Sequence, residues 1–243
     1  MRRFPLLIAA HLLMAALALN VFGTDPVFDE LRGELGKKWP KNRTVRLVFH
    51  GHSVPAGYFR DGNVRTFDAY PSLLHRQLCE HFPTAVIDVC VTAIGGENSL
   101  RGAKRFKTDV LSMRPDLVFI DYSLNDRSAG LSESEQAWRS MIDEAQKAEV
   151  QVVLLTPTPD SHENILDQDT LLAQHAAQVR RISKDMDVPL IDSYAAFRAR
   201  VEAGTDVNSL LSQPNHPNRA GHEVVAELLG QLLISGSDGP ASR

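Results

Sequence analysis

The chain predicts a three-layer α/β/α sandwich built on a five-stranded, mostly parallel sheet. Three observations carry that expectation. Short apolar runs rich in β-branched residues alternate with amphipathic stretches at helical spacing, which is the pattern of a parallel sheet covered on both faces. The 243 residues suffice for one well-buried domain and are few for two. A serine, a glycine pair, an asparagine and a histidine fall at the carboxyl ends of the runs or in the last loop, where open α/β sheets form their sites.

Each element follows in order. Residues 44–49, 85–90, 116–120, 150–155 and 188–191 read as the five strands. Between them, Leu73, Leu74, Leu78 and Phe82 mark a helix over 72–82, and Ala103, Phe106, Val110 and Met113 mark one over 101–113. Ser132 and Glu135 form a capping-box pattern ahead of Ala137, Trp138, Met141, Ile142 and Ala145. Leu171, Leu172, Ala176, Val179 and Met186 mark a long fourth helix, and Val224, Val225, Leu228, Leu229 and Leu232 a last one from about residue 218. Right-handed crossovers join such strands into an open sheet.

The ends of the chain read differently. Arg2 and Arg3 precede an apolar run over 6–19, with small residues at Val21 and Gly23, the signature of a secretory signal peptide over 1–23. The run is short of the roughly 20 apolar residues of a membrane span, so cleavage is expected, with an uncleaved anchor as the alternative; after cleavage no membrane contact and a periplasmic or secreted location are expected. A polar lead-in with one short helix covers 24–43, the α/β domain 44–234, and a small polar tail, expected to be disordered, 235–243. Losing Arg2 and Arg3 takes the net charge from -4 to -6; nothing basic suggests nucleic acid. Cys79 and Cys90 fall too far apart along a helix and the following strand to be bridged, and both are expected to be buried thiols.

The first strand runs into His50-Gly51-His52-Ser53, the second into Ala93-Ile94-Gly95-Gly96-Glu97, the third into Ser123-Leu124-Asn125-Asp126. The last helix is preceded by Gln213-Pro214-Asn215-His216-Pro217-Asn218. Convergence of these residues on one rim suits acyl transfer. A serine hydroxyl becomes a nucleophile when an imidazole takes its proton, and backbone N–H groups with an amide side chain can hold the oxyanion that develops.

These four blocks resemble those of the SGNH (GDSL-type) hydrolases, in order and over nearly the whole chain from about residue 45 to 233. Gly51-His52-Ser53 matches the family's Gly-Asp-Ser, which implies Ser53 as nucleophile. Ala93-Ile94-Gly95-Gly96 places Gly96 as the oxyanion glycine, with Gly95 as the alternative. Ser123-Leu124-Asn125-Asp126 matches Gly-x-Asn-Asp, with Asn125 as side-chain donor beside the Ser53 N–H. His216-Pro217-Asn218 matches the histidine block, with His216 as base. Two departures stand out: His52 replaces an aspartate, and Gln213 stands where the family's Asp-x-x-His has its carboxylate. Three options follow: a Gln213 or backbone oxygen orients His216, Asp192 at the end of the fifth strand substitutes for the lost acid, or the site is a slow dyad.

The resemblance implies an exported serine esterase acting without cofactor or metal on short-chain, acetyl-type esters, small or on carbohydrate. The polar stretch 156–164 is expected to wall an open pocket. Three alternatives stay open from the residues: a lysophospholipase or thioesterase of the same fold, a metal-dependent hydrolase using His50 and His52 with Asp121, Asp126 or His162, and an inactive carbohydrate-binding relative. Trp138 reads as core and His222 as structural.

Overall fold

The computed structural model describes residues 26–234; the expected signal peptide and tail lie outside them. Helix α1 (Pro26–Leu35) leads into β1 (Thr44–Gly51). The short α2 (Ser53–Ala56), α3 (Tyr70–His81) and β2 (Val86–Val91) follow. Next come α4 (Ser99–Asp109), β3 (Leu117–Asp121) and the one-turn α5 (Ser123–Asp126). The second half holds α6 (Leu131–Lys147), β4 (Gln151–Leu155), α7 (Leu171–Met186), β5 (Leu190–Ile191) and α8 (Ser193–Glu202). A small hairpin, β6 (Leu211–Gln213) and β7 (His216–Pro217), precedes α9 (Arg219–Ile234).

Strands β1 to β5 form one parallel sheet in the order β2-β1-β3-β4-β5. The chain therefore moves from β1 outward to β2, then back past β1 to β3. At that reversal the loops after neighbouring strands part and leave a crevice, and Ser53 and Asn125 follow the two strands that border it. β3 is buried at every position, as a central strand covered on both faces must be. β2 is an edge strand and only half-buried.

Two apolar clusters lie on the two faces of the sheet. One joins Leu47, Phe49, Leu117 and Phe119 to α3 and α9 through Leu74, Leu78, Val225 and Leu229. The other joins Val48, Val118, Ile120 and Leu154 to α4, α6 and α7 through Phe106, Trp138, Met141 and Ile182. Successive strand residues point to opposite faces, so Val48 and Phe49 belong to different clusters. The three-layer sandwich predicted from the alternation is the observed fold.

Two local expectations are corrected, and one helix is added. Helix α6 starts at Leu131 after Gly130, with no side-chain cap; Glu135 instead binds Arg139 and Arg181, an ion pairing that competes with the capping box. Cys79 is exposed and Cys90 half-buried, because α3 turns Leu74 and Leu78 inward and Cys79 lies about 100° round from Leu78. Helix α8 had no counterpart in the sequence reading: only Tyr194 and Phe197 among its apolar residues are deeply buried, too few to form a stripe.

Candidate active site

The turn that carries Ser53 is fixed by packing. Gly51 pairs with Asp121 at the end of β1, where a Cβ would lie 2.5 Å from the Asp121 carbonyl oxygen and 2.9 Å from the Pro55 ring. Only glycine lets the two strands stay together there. His52 then caps α2: its Nδ1 accepts the Val54 N–H at 3.3 Å. Its Nε2 faces Asp121 Oδ1 at 3.3 Å, both side chains being buried. Tyr70 Oη donates to the other Asp121 oxygen at 2.9 Å, and the Tyr70 N–H donates to His222 Nδ1 at 3.3 Å. His52 thus does the capping work of the missing aspartate, while the carboxylate beside this turn comes from β3.

Ser53 opens α2, is nearly buried, and meets His216: Ser53 Oγ and His216 Nε2 are 2.7 Å apart. The histidine is held at the tip of the β6–β7 hairpin. Ser212 Oγ donates to the His216 carbonyl at 3.2 Å, and the Ser161 N–H donates to the Pro214 carbonyl at 2.8 Å. Asn215 Oδ1 lies 2.7 Å from His216 Nδ1. An amide oxygen can only accept, so it keeps the proton on Nδ1 and turns the Nε2 lone pair toward Ser53. Gln213 Nε2 also lies 2.7 Å from Nδ1; an amide N–H can only donate, so it competes with Asn215 for that nitrogen unless the Gln213 amide turns over to present its oxygen.

Among the described residues no carboxylate bonds His216 Nδ1. Asp192 is occupied elsewhere: it accepts from Arg180 at 2.6 Å and from Thr156 Oγ1 at 2.9 Å, and caps α8. Asp160 acts on His216 electrostatically, but its oxygens are bound to Arg127 at 2.7 Å and the His162 N–H at 3.0 Å. Burial, reinforced by His52 and only partly offset by Asp160, pushes the His216 pKa down to about 4. The imidazole is therefore neutral over most of the pH range. The stretch 156–160 is buried. Thr156 bonds Asp192 and the Tyr194 N–H at the start of α8, and Asp160 bonds Arg127, while 161–164, the rest of the stretch expected to wall the pocket, are half-buried or exposed.

The loops after β2 and β3 meet through Asn125. Gly96 is exposed with φ 73°, and nothing lies within 4 Å of a Cβ placed on it, so its N–H sits on an open, left-handed turn that favours glycine. Gly95 packs under the Tyr58 ring. Asn125 Nδ2 donates one hydrogen to the Glu97 carbonyl at 2.9 Å, leaving its second hydrogen free of that bond. Asp126 accepts from the Ser99 N–H and from Trp138 Nε1, each at 2.7 Å.

His50 and His52 do not form a shared site. His50 Nδ1 bonds Thr92 Oγ1 at 2.8 Å and Nε2 faces the Gly102 carbonyl at 3.2 Å. Burial, with Arg105 acting in the same direction, holds His50 at a pKa of about 4. Among the described residues no group of three His, Cys, Asp or Glu side chains is placed to hold a metal. The sequence reading missed Asn215 as a partner of His216. Its signal was the pair of amides, Gln213 and Asn215, flanking Pro214 just ahead of the histidine.

The chain belongs to the GDSL-like lipase/acylhydrolase family, whose pattern matches residues 49–224. It is accordingly a carboxylic ester hydrolase. It is similar to a lipoprotein of Bacillus subtilis (strain 168), YqeF, itself uncharacterized, with 29% identity over 182 residues covering 60% of this chain and 74% of that one. In fold it is similar to an acetylxylan esterase from Geobacillus stearothermophilus, with a TM-score of 0.68, 23% identity, and coverage of 78% of this chain and 94% of the other. It also resembles a two-domain esterase active on acetylated mannans, with a TM-score of 0.72 and 21% identity over 88% of this chain and 54% of that one.

Proposed function

We propose that the protein is an exported serine esterase that removes short acyl groups, acetyl above all, from carbohydrate. The 2.7 Å approach of Ser53 Oγ to His216 Nε2 carries the reading. Ser53 attacks the ester carbonyl as His216 takes its proton. The Ser53 N–H, the Gly96 N–H and the free hydrogen of Asn125 receive the oxyanion. His216 returns the proton to the leaving alcohol, and water then releases the acyl group by the same relay in reverse. Asn215 and Gln213 hold the ring but supply no charge to the imidazolium, so orientation rather than ion pairing supports the base.

The carbohydrate part rests on analogy: acetylated xylan and mannan are what two proteins of this fold act on. Export rests on the residues 1–23 pattern and on the lipoprotein relative. Among the described residues no helix is long and apolar enough to cross a membrane. The test is an acyl-chain series of p-nitrophenyl esters beside acetylated xylo- and manno-oligosaccharides. Acetate release from the sugars with a preference for two-carbon esters is expected. A preference for long chains, with no action on the sugars, would instead give the lysophospholipase or thioesterase.

A further inference from the structure

We propose that Glu97 is a positioning residue that sets the spacing of the oxyanion donors by holding Asn125 to the Gly96 turn. The inference rests on the oxyanion assignment above. Of the loops bearing donors, the one after β2 has the least packing to hold it. β2 is a half-buried edge strand, and Gly96 is exposed with open space about its Cα. Ser53 and Asn125, by contrast, follow β1 and β3 in the middle of the sheet.

What the edge loop lacks in apolar contacts it makes up in polar ones, and Glu97 is the hub. Its main-chain carbonyl accepts from Asn125 Nδ2 at 2.9 Å. Its side chain is 3% exposed and is gripped by Arg105 in a forked pair, with Nε at 3.0 and 2.9 Å from the two carboxylate oxygens. Tyr122 Oη donates to the same carboxylate at 3.0 Å and accepts from Arg105 at 3.1 Å. Tyr122 in turn lies against His50 Nε2 at 3.1 Å, and His50 against Thr92 Oγ1 at 2.8 Å. The network therefore runs from the Gly96 turn back to the end of β1.

Gly102 makes room for it. A Cβ there would lie 2.4 Å from Tyr122 Oη, so a side chain at 102 would push the phenol away from Glu97. Arg105 has Asp109 as a second partner at 3.2 Å. Burial works against its charge, but Glu97 and Asp109 more than compensate. That permanent charge matters, because a bare carboxylate one residue from Gly96 would oppose the oxyanion; paired with Arg105, it does not.

A buried ion pair adds little net stability compared with well-packed apolar residues. Its contribution here is a fixed direction for one carbonyl, and through it for the Asn125 amide.

The test is a double-mutant cycle in the full-length chain, with kcat and KM for p-nitrophenyl acetate and fluorophosphonate labelling of Ser53. Glu97→Gln keeps size and removes the charge. It is expected to lower kcat about tenfold with KM little changed, a fraction of the 10²–10³ that loss of a whole donor costs. In the Asn125→Ala background there is no spacing left to hold, and the same change is expected to cost less than about twofold. Equal losses in both backgrounds would overturn the proposal and leave Glu97 a structural residue. Tyr122→Phe, which deletes one bond to the carboxylate, serves if Glu97→Gln does not fold; its smaller loss must vanish in the same way. If Asn125→Ala alone is silent while Ser53 still labels, the oxyanion reading fails and the proposal with it.

Discussion

The two halves of the proposed catalytic pair are held by different physics. Ser53 follows β1 and is fixed by close packing: Gly51 pressed against the Asp121 carbonyl, His52 capping the turn, Asp121 and Tyr70 buried behind. His216 sits on a two-stranded hairpin outside the main sheet and is aimed by two neutral amides. The nucleophile's place is determined by the core, which tolerates little change. The base's place is determined by local hydrogen bonds, which can be exchanged. That contrast explains how a family aspartate could be lost at position 213 while the geometry of Ser53 and His216 survived.

Substitutions on the two sides should differ accordingly. Ser53→Ala is expected to lower kcat by at least about 10⁴ without unfolding the chain. Asn125→Ala should cost about 10²–10³. On the base side, Asn215→Ala leaves Gln213 to take the Nδ1 proton, so a loss of about tenfold or less is expected, the size typical of a supporting partner. Steady-state kinetics on p-nitrophenyl acetate measures all three. A loss in Asn215→Ala as large as in Asn125→Ala would break the comparison.

The pH profile sharpens it. With His216 held at about 4, kcat/KM should be half-maximal near that pH on the acid side and level through neutrality. Gln213→Asp restores a carboxylate beside the ring, favours the imidazolium, and should move this limb upward by about 1–3 units. A limb that stays in place would mean that residue 213 does not orient the base.

The same burial affects stability. His216 and His222 keep pKa values of about 4 and about 3 when folded, against 6.5 for a histidine in the unfolded chain. Between these values the unfolded chain binds more protons. The contribution to stability therefore rises with pH from about 3 to 6.5 and is lost on acidification. Denaturant midpoints across that window should show the slope.

The smallest expected effect is on packing alone. Gly51→Ala should destabilise by about 1–3 kcal/mol as β1 is forced from β3, a fall in Tm of roughly 2–4 °C per kcal/mol.

Much of this was legible in the residues. Strand ends are written by apolar runs that stop, so the places of Ser53 and Asn125 could be read from pattern, and the four blocks gave their order. What could not be read are pairings between distant segments. Nothing local says that Asp121 backs His52, or that Asp192 is taken by Arg180 and Thr156. The burial of 156–160 was hidden for the same reason: a polar run reads as surface until its partners, here Arg127 and Asp192, are known. Asn215 lay in plain view beside the histidine, but an amide there signals a turn as readily as an orienting group.

The most direct test is intact-protein and peptide mass spectrometry after exposure to a fluorophosphonate, on wild type, Ser53→Ala and His216→Ala, with and without chelator. The account predicts one adduct on the Ser53 peptide of the wild type, none in Ser53→Ala, strongly slowed labelling in His216→Ala, and no effect of chelator. An adduct elsewhere, or ester hydrolysis that survives Ser53→Ala, would contradict it.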